Sequence, residues 1–188
     1  MTTTIKNPYV GPRTFQKEES HLYFGREREA RDLTALVASE RLVLFYAQSG
    51  AGKSSLLNTR LIPDLEKNRY EVFPIGRVSS GSVGGNSTDN IYIYNLMRSM
   101  VQHEIDPASI AKLSLSQFLT GLNIDNDGYF YDGKPDAELP MEEGFTPWRR
   151  ALIIDQFEEV FSTHLDAWEK REDFFRQLAQ AMREDPYL

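Results

Sequence analysis

The chain has 188 residues, 40% hydrophobic and 12% aromatic, which is enough to bury one core and excludes a wholly disordered polymer. Its 28 acidic against 21 basic residues give a formal charge of -7, which disfavours bulk nucleic-acid binding. The cluster Arg26, Arg28, Arg31 and Arg41 is of the kind that ordinarily lies on a solvated helix face. The absence of cysteine excludes a disulfide framework, a thiol nucleophile and a thiolate zinc site, and His21, His103 and His164 are too scattered for a histidine metal site. No apolar run approaches the ~20 residues a membrane span needs, and the N-terminus carries no signal pattern, so a reducing, cytoplasmic setting without membrane contact is expected.

In chain order, residues 1–25 read as an irregular lead-in holding Pro8, Gly11 and Pro12. From Arg26 to Ser39, Ala30, Leu33, Leu36 and Val37 recur at helical spacing and predict an amphipathic helix. "RLVLFYA", 41–47, is a continuous apolar run suited to a strand covered on both faces. Ser54 to about Leu65 carries Leu56, Leu57, Leu61 and Ile62 as a core stripe, with Pro63 expected to kink or end that helix. "YEVFPIGRV", 70–78, predicts a second strand, a glycine- and serine-rich loop follows, and Ile93, Leu96, Met97, Met100 and Val101 mark another helix. Residues 105–147 look least regular, with a short helix near 115–122. "RALIIDQFEEVFS" predicts a third strand running into a helix, and 167–182 a last helix. The expected organisation is a P-loop core over 26–104, an irregular insertion over 105–147, and a strand with following helices over 148–188. Strands alternating with helices predict an α/β three-layer sandwich around a mainly parallel sheet.

Between the first strand and its helix stands "AQSGAGKS", 47–54, which fits the GxxxxGK[ST] pattern except that Ala47 takes the place of the opening glycine. Backbone N–H groups at a helix N-terminus suit a phosphate, and Gly50 and Gly52 let the backbone wrap it closely. Ser49, Gly50, Ala51, Gly52, Lys53, Ser54 and Ser55 are therefore the expected phosphate cradle. Lys53 reaches the outer phosphates, and the Ser54 hydroxyl faces Mg²⁺. Such a loop calls for a carboxylate at the end of a neighbouring parallel strand, and "ALIID" delivers Asp155 as second metal ligand. The acids that follow, Glu158 and Glu159, are candidates for the base that activates water, with Glu158 preferred.

Four motifs in this order, "NPYVGPRTF", "FGRERE", "SGAGKSSLLN" and "IIDQFEEVF", resemble the signal-transduction ATPases with numerous domains, the STAND NTPases, and specifically their bacterial novel STAND branch. The resemblance covers 7–67 and 150–162 well. The spacing of Asp155, Glu158 and Glu159 is similar to that of the NACHT branch. The resemblance implies ATP or ADP with Mg²⁺, slow turnover, and a switch controlling homo-oligomerisation. It also implies effector and sensor domains elsewhere in a longer chain that serves signalling or antiviral defence, and it places Phe24, Gly25 and Arg26 near the base and ribose.

Tyr9, Phe15, Tyr23 and Phe24 offer flat apolar surface for a purine or, equally, cover for the core edge. "GKPD", 133–136, has Gly133 where a guanine-reading motif needs asparagine, so adenine is favoured. "NIDNDGYFYDGK", 123–134, imitates the first half of a calcium loop but ends on Lys134 in place of glutamate, and reads as a polar hairpin or insertion. A further sheet strand with a γ-phosphate sensor, and a lid, are expected beyond Leu188, so this stretch is expected to bind nucleotide while hydrolysing it poorly. The same residues also suit a P-loop kinase or a module that holds nucleotide without turning it over.

Overall fold

The computed structural model describes residues 11, 13–79, 88–134 and 148–188. Tyr9, the loop after Ser79 and most of the expected insertion's second half lie outside them. Two compact units are present, Met1–Glu71 and Val72–Leu188.

In the first unit, α1 (Glu27–Ser39) begins with Glu27 and Glu29 in its first turn, where carboxylates complement the helix dipole. It buries Ala30 and Leu33, while Leu36 is 45% exposed, so the predicted stripe is half as long as its spacing implied. The second helix starts as α2 (Lys53–Leu56), widens into a π turn at Leu57–Leu61, and resumes as α3 (Ile62–Lys67). Pro63 neither ends nor interrupts it. A proline lacks the N–H and crowds the carbonyl four residues back, and the wider turn before it, in which the Ile62 N–H reaches the Leu57 carbonyl, absorbs that mismatch. Leu56, Leu57, Leu61 and Leu65 are buried and fill this unit's core at ~2 kcal/mol each.

Residues 41–47 are a correction to the sequence reading. They form no strand, and Leu42, Leu44 and Tyr46 are 78%, 72% and 82% exposed. An apolar run supplies side chains for a sheet, but a ladder also needs a neighbouring backbone, and none of the described residues supplies one.

The second unit opens on the end of β1 (Tyr70–Val72), which pairs with β4 (Arg149–Ala151). Past Val72 the ladder is parallel: the Phe73 N–H donates to the Ala151 carbonyl at 3.0 Å, the Gly76 N–H to Ile153 at 2.9 Å, and the Asp155 N–H to Gly76 at 3.0 Å. The fold is thus mixed α/β with a small parallel sheet, narrower than the expected sandwich. Helix α4 (Ile91–Met100) packs across it. Its N-cap, Asn90, accepts from the N–H groups of Tyr92 and Ile93 at 3.0 and 3.3 Å and is itself buried.

Residues 105–134, read as irregular, are ordered. They form α5 (Pro107–Ile110), α6 (Leu115–Thr120) with a Ser114–Gln117 capping box, and an antiparallel hairpin of β2 (Leu122–Asp125) and β3 (Gly128–Tyr131). Ile110, Leu115, Phe118 and Leu122 join Phe73, Leu96 and Met100 in one core, which explains why this segment folds despite its polar appearance. The calcium-like stretch is the hairpin turn: Asp125 Oδ1 accepts from the N–H groups of Asp127 and Gly128 and lies 3.0 Å from His103 Nε2. Those contacts hold the Asp125 carboxylate within the turn. Short α7 (Glu159–Ser162) and long α8 (Lys170–Glu184) close the unit, with Val160 and Phe174 fully buried.

Candidate functional site

In the first unit the stretch 48–54 is a loop that turns sharply into a helix. The Ala51 N–H donates to the Gln48 carbonyl at 3.2 Å, and Gly50 and Gly52 have φ of 77° and 80°, the left-handed region that a side chain disfavours. Gly52 caps α2, so the backbone N–H groups of its first turn are presented to whatever sits above the loop. Lys53 Nζ donates to the Ala47 carbonyl at 3.0 Å. The ammonium is thereby parked on the residue that replaces the motif's first glycine, and the contact uses backbone alone, so alanine serves there. Ser49 and Ala51 lie in the turn and Ser54 is the second residue of the helix. Ser55 is placed differently from its neighbours: it is buried, and its hydroxyl accepts from the Phe15 N–H at 3.1 Å, tying the lead-in to the helix.

The lead-in reaches the loop. Arg26 Nη2 donates to the Ala51 carbonyl at 3.3 Å and Nη1 to Glu29 at 3.2 Å, and Gly25 turns the chain at φ 81°. A Cβ on Gly52 would stand 3.5 Å from the Tyr23 hydroxyl, which places that phenol over the loop. Burial pushes the Tyr23 phenol above its ordinary pKa, with Arg26 and Arg60 opposing. Phe15 and Tyr23 pack edge to face at 5.5 Å, while Phe24 is 72% exposed and presents a free ring.

In the second unit Asp155 ends the strand after β4. It is buried, its Oδ1 accepting from the Gln156 N–H at 3.0 Å and its Oδ2 from Arg77 Nη2 at 3.0 Å. Gln156 follows with φ 56°, a left-handed conformation in a residue with a side chain, which holds the chain in a tight turn toward α7. Of the two glutamates, Glu158 is exposed, and Glu159 is half-buried and accepts a hydrogen bond from the Ser79 hydroxyl. Two of the three carboxylates that the motif singles out, Asp155 and Glu159, thus meet one segment, Arg77 to Ser79. Helix α4 fixes that segment: Ser99 Oγ accepts from the Arg77 N–H at 2.8 Å, and Asn95 Nδ2 donates to the Val78 carbonyl at 2.9 Å.

The sequence model of one family, described as Novel STAND NTPase 1, matches residues 8–188. The chain belongs to that family. No curated protein and no solved structure matches it. Membership makes it a nucleotide-binding NTPase module of P-loop type, in agreement with the four motifs. Among the described residues no helix is long and apolar enough to cross a membrane.

Two groups that could serve a divalent ion are present, the buried Asp155 carboxylate in the second unit and the Ser54 hydroxyl on α2 in the first. Among the described residues no three His, Asp or Glu side chains gather around one point. The buried carboxylate already carries a cationic partner in Arg77. Arg77, Ser79, Asn95 and Ser99 escaped the sequence reading. The only local signal was the position of Arg77 and Ser79 at the exit of the 70–78 strand, where parallel sheets carry their sites.

Proposed function

We propose that the chain binds ATP or ADP with Mg²⁺ and acts as the nucleotide-dependent switch of a multidomain signalling ATPase. The observation that carries this reading is the loop itself: two left-handed glycines open a helix, with Lys53 held in reach by the Ala47 carbonyl. When phosphate arrives, Lys53 exchanges that neutral carbonyl for an anion, a stronger charge-assisted bond. By the family's pattern, the Ser54 hydroxyl and the Asp155 carboxylate would each be a ligand of a metal that neutralises charge on the outer phosphates. Phe24 offers its exposed ring to the base, and Arg26, already bonded to the loop, reports on its occupancy. Glu158 and Glu159 remain the two candidate bases; the hydrogen bond from Ser79, which fixes the Glu159 carboxylate, is the reason to prefer Glu159 where sequence alone favoured Glu158.

The wider three-layer P-loop sandwich belongs to this proposal and rests on the family. Nucleotide-controlled homo-oligomerisation, effector and sensor domains in the same longer chain, and a role in antiviral defence belong to this proposal and rest on the family.

Isothermal calorimetry with ATP and with ADP, on the chain and on Lys53→Ala, tests the reading. The variant is expected to bind at least about tenfold more weakly. Equal affinity overturns it.

A further inference from the structure

Asp155 is not an empty carboxylate. Arg77 Nη2 stands 3.0 Å from its Oδ2, and the pair is asymmetric: the Asp155 side chain is 6% exposed and the Arg77 side chain 47%. A carboxylate this buried needs a positive partner, since an unpaired one is strongly disfavoured. Arg77 supplies that partner from the exit of the neighbouring strand, and its backbone is held in place by Ser99. A dication held by Asp155 would compete with Arg77 for the same carboxylate. It would also meet the guanidinium as a like charge, and like charges sharing one carboxylate repel.

Two residues further along, Ser79 holds Glu159. A movement of Arg77 away from Asp155 would pull on a short segment that bends at Val78 and Ser79 and is tied to α4 through Ser99 and Asn95.

We propose that Arg77 is the resident counter-ion of the metal site. It neutralises Asp155 in the nucleotide-free state, is displaced when the metal–nucleotide arrives, and through Ser79 couples that displacement to Glu159. Arg77 is on this account a positioning residue, and its presence makes metal binding weaker than the bare carboxylate would give. The inference rests on reading Asp155 as a metal ligand.

The test titrates ADP into the chain in EDTA and in Mn²⁺ and takes the ratio of the two Kd values. In Arg77→Gln the ratio is expected to rise about tenfold, the worth of one hydrogen bond to a charged group, and in Arg77→Lys to stay near that of the parent. An unchanged ratio in Arg77→Gln overturns the inference and leaves the metal reading standing. If instead Asp155→Asn leaves the parent's ratio unaltered, Asp155 is not the metal ligand and both fall. Thermal melting adds a second readout. Arg77→Gln is expected to lose Tm without metal and to recover more of it than the parent on adding Mn²⁺ and ADP. The same loss in both conditions marks a merely structural arginine and counts against the proposal.

Discussion

A Cβ built on Gly76 would stand 2.2 Å from Leu96 Cδ1, so the parallel strand and α4 touch at a point with no room for any side chain. Leu96 is fully buried among the core of the second unit and has nowhere to retreat. Gly76→Ala is therefore expected to destabilise the chain by about 1–3 kcal/mol, the usual cost of overpacking. Urea unfolding checks this. The double variant Gly76→Ala/Leu96→Val is expected to recover part of the loss, because trimming Leu96 removes the clashing atom.

Gly52 meets only ordinary contacts, and its importance is conformational. At φ 80° an alanine is strained by ~1–2 kcal/mol even though the Tyr23 hydroxyl leaves it space. Gly52→Ala is expected to weaken ADP binding by about tenfold through a distorted loop, with little change in far-ultraviolet circular dichroism. Undiminished affinity in calorimetry would show that the left-handed turn is dispensable.

Asp173 links α8 to the cap of α4, accepting from Asn90 Nδ2 at 2.9 Å and Gln177 Nε2 at 2.8 Å. Burial works against its charge, but those two hydrogen bonds, with Arg176 and Lys170 nearby, outweigh it and hold its carboxyl below the ordinary value. A folded-state pKa below the unfolded one contributes stability that is complete above the unfolded value of ~3.9 and lost as pH falls through the folded one. The urea midpoint is expected to drop on acidification from about pH 5 to about pH 3. Asp173→Asn should flatten that dependence; an identical pH profile in the variant refutes the assignment.

Glu159 and Glu158 differ in environment, the first held by Ser79 and the second exposed. In single-turnover phosphate release, Glu159→Gln is expected to slow the step by about 10²-fold or more, as loss of a general base does. Glu158→Gln is expected to have a far smaller effect, and the opposite ranking would return the role to Glu158.

The phosphate loop was legible because its chemistry is local: Gly50, Gly52 and Lys53 are neighbours, and the turn they form needs nothing distant. Helices α1, α4 and α8 were legible for the same reason, since one-sided apolar spacing is a property of a short window. The run 41–47 was misread because apolar character says what a strand would bury, not whether a second backbone lies beside it. Residues 105–134 were underrated because their few apolar side chains are spread thinly and become a core only when Phe73 and α4 cover them.

By itself, then, the sequence determined the family and singled out the loop 47–54 and the acids Asp155, Glu158 and Glu159 as candidates. Tertiary structure alone decided what those acids touch. Arg77 meets Asp155 across 78 positions of chain and Ser79 meets Glu159 across 80, and no local pattern encodes such pairs. They arise because two strands align in parallel and deliver their ends to one place, with Gly76 small enough to let α4 clamp the segment between them.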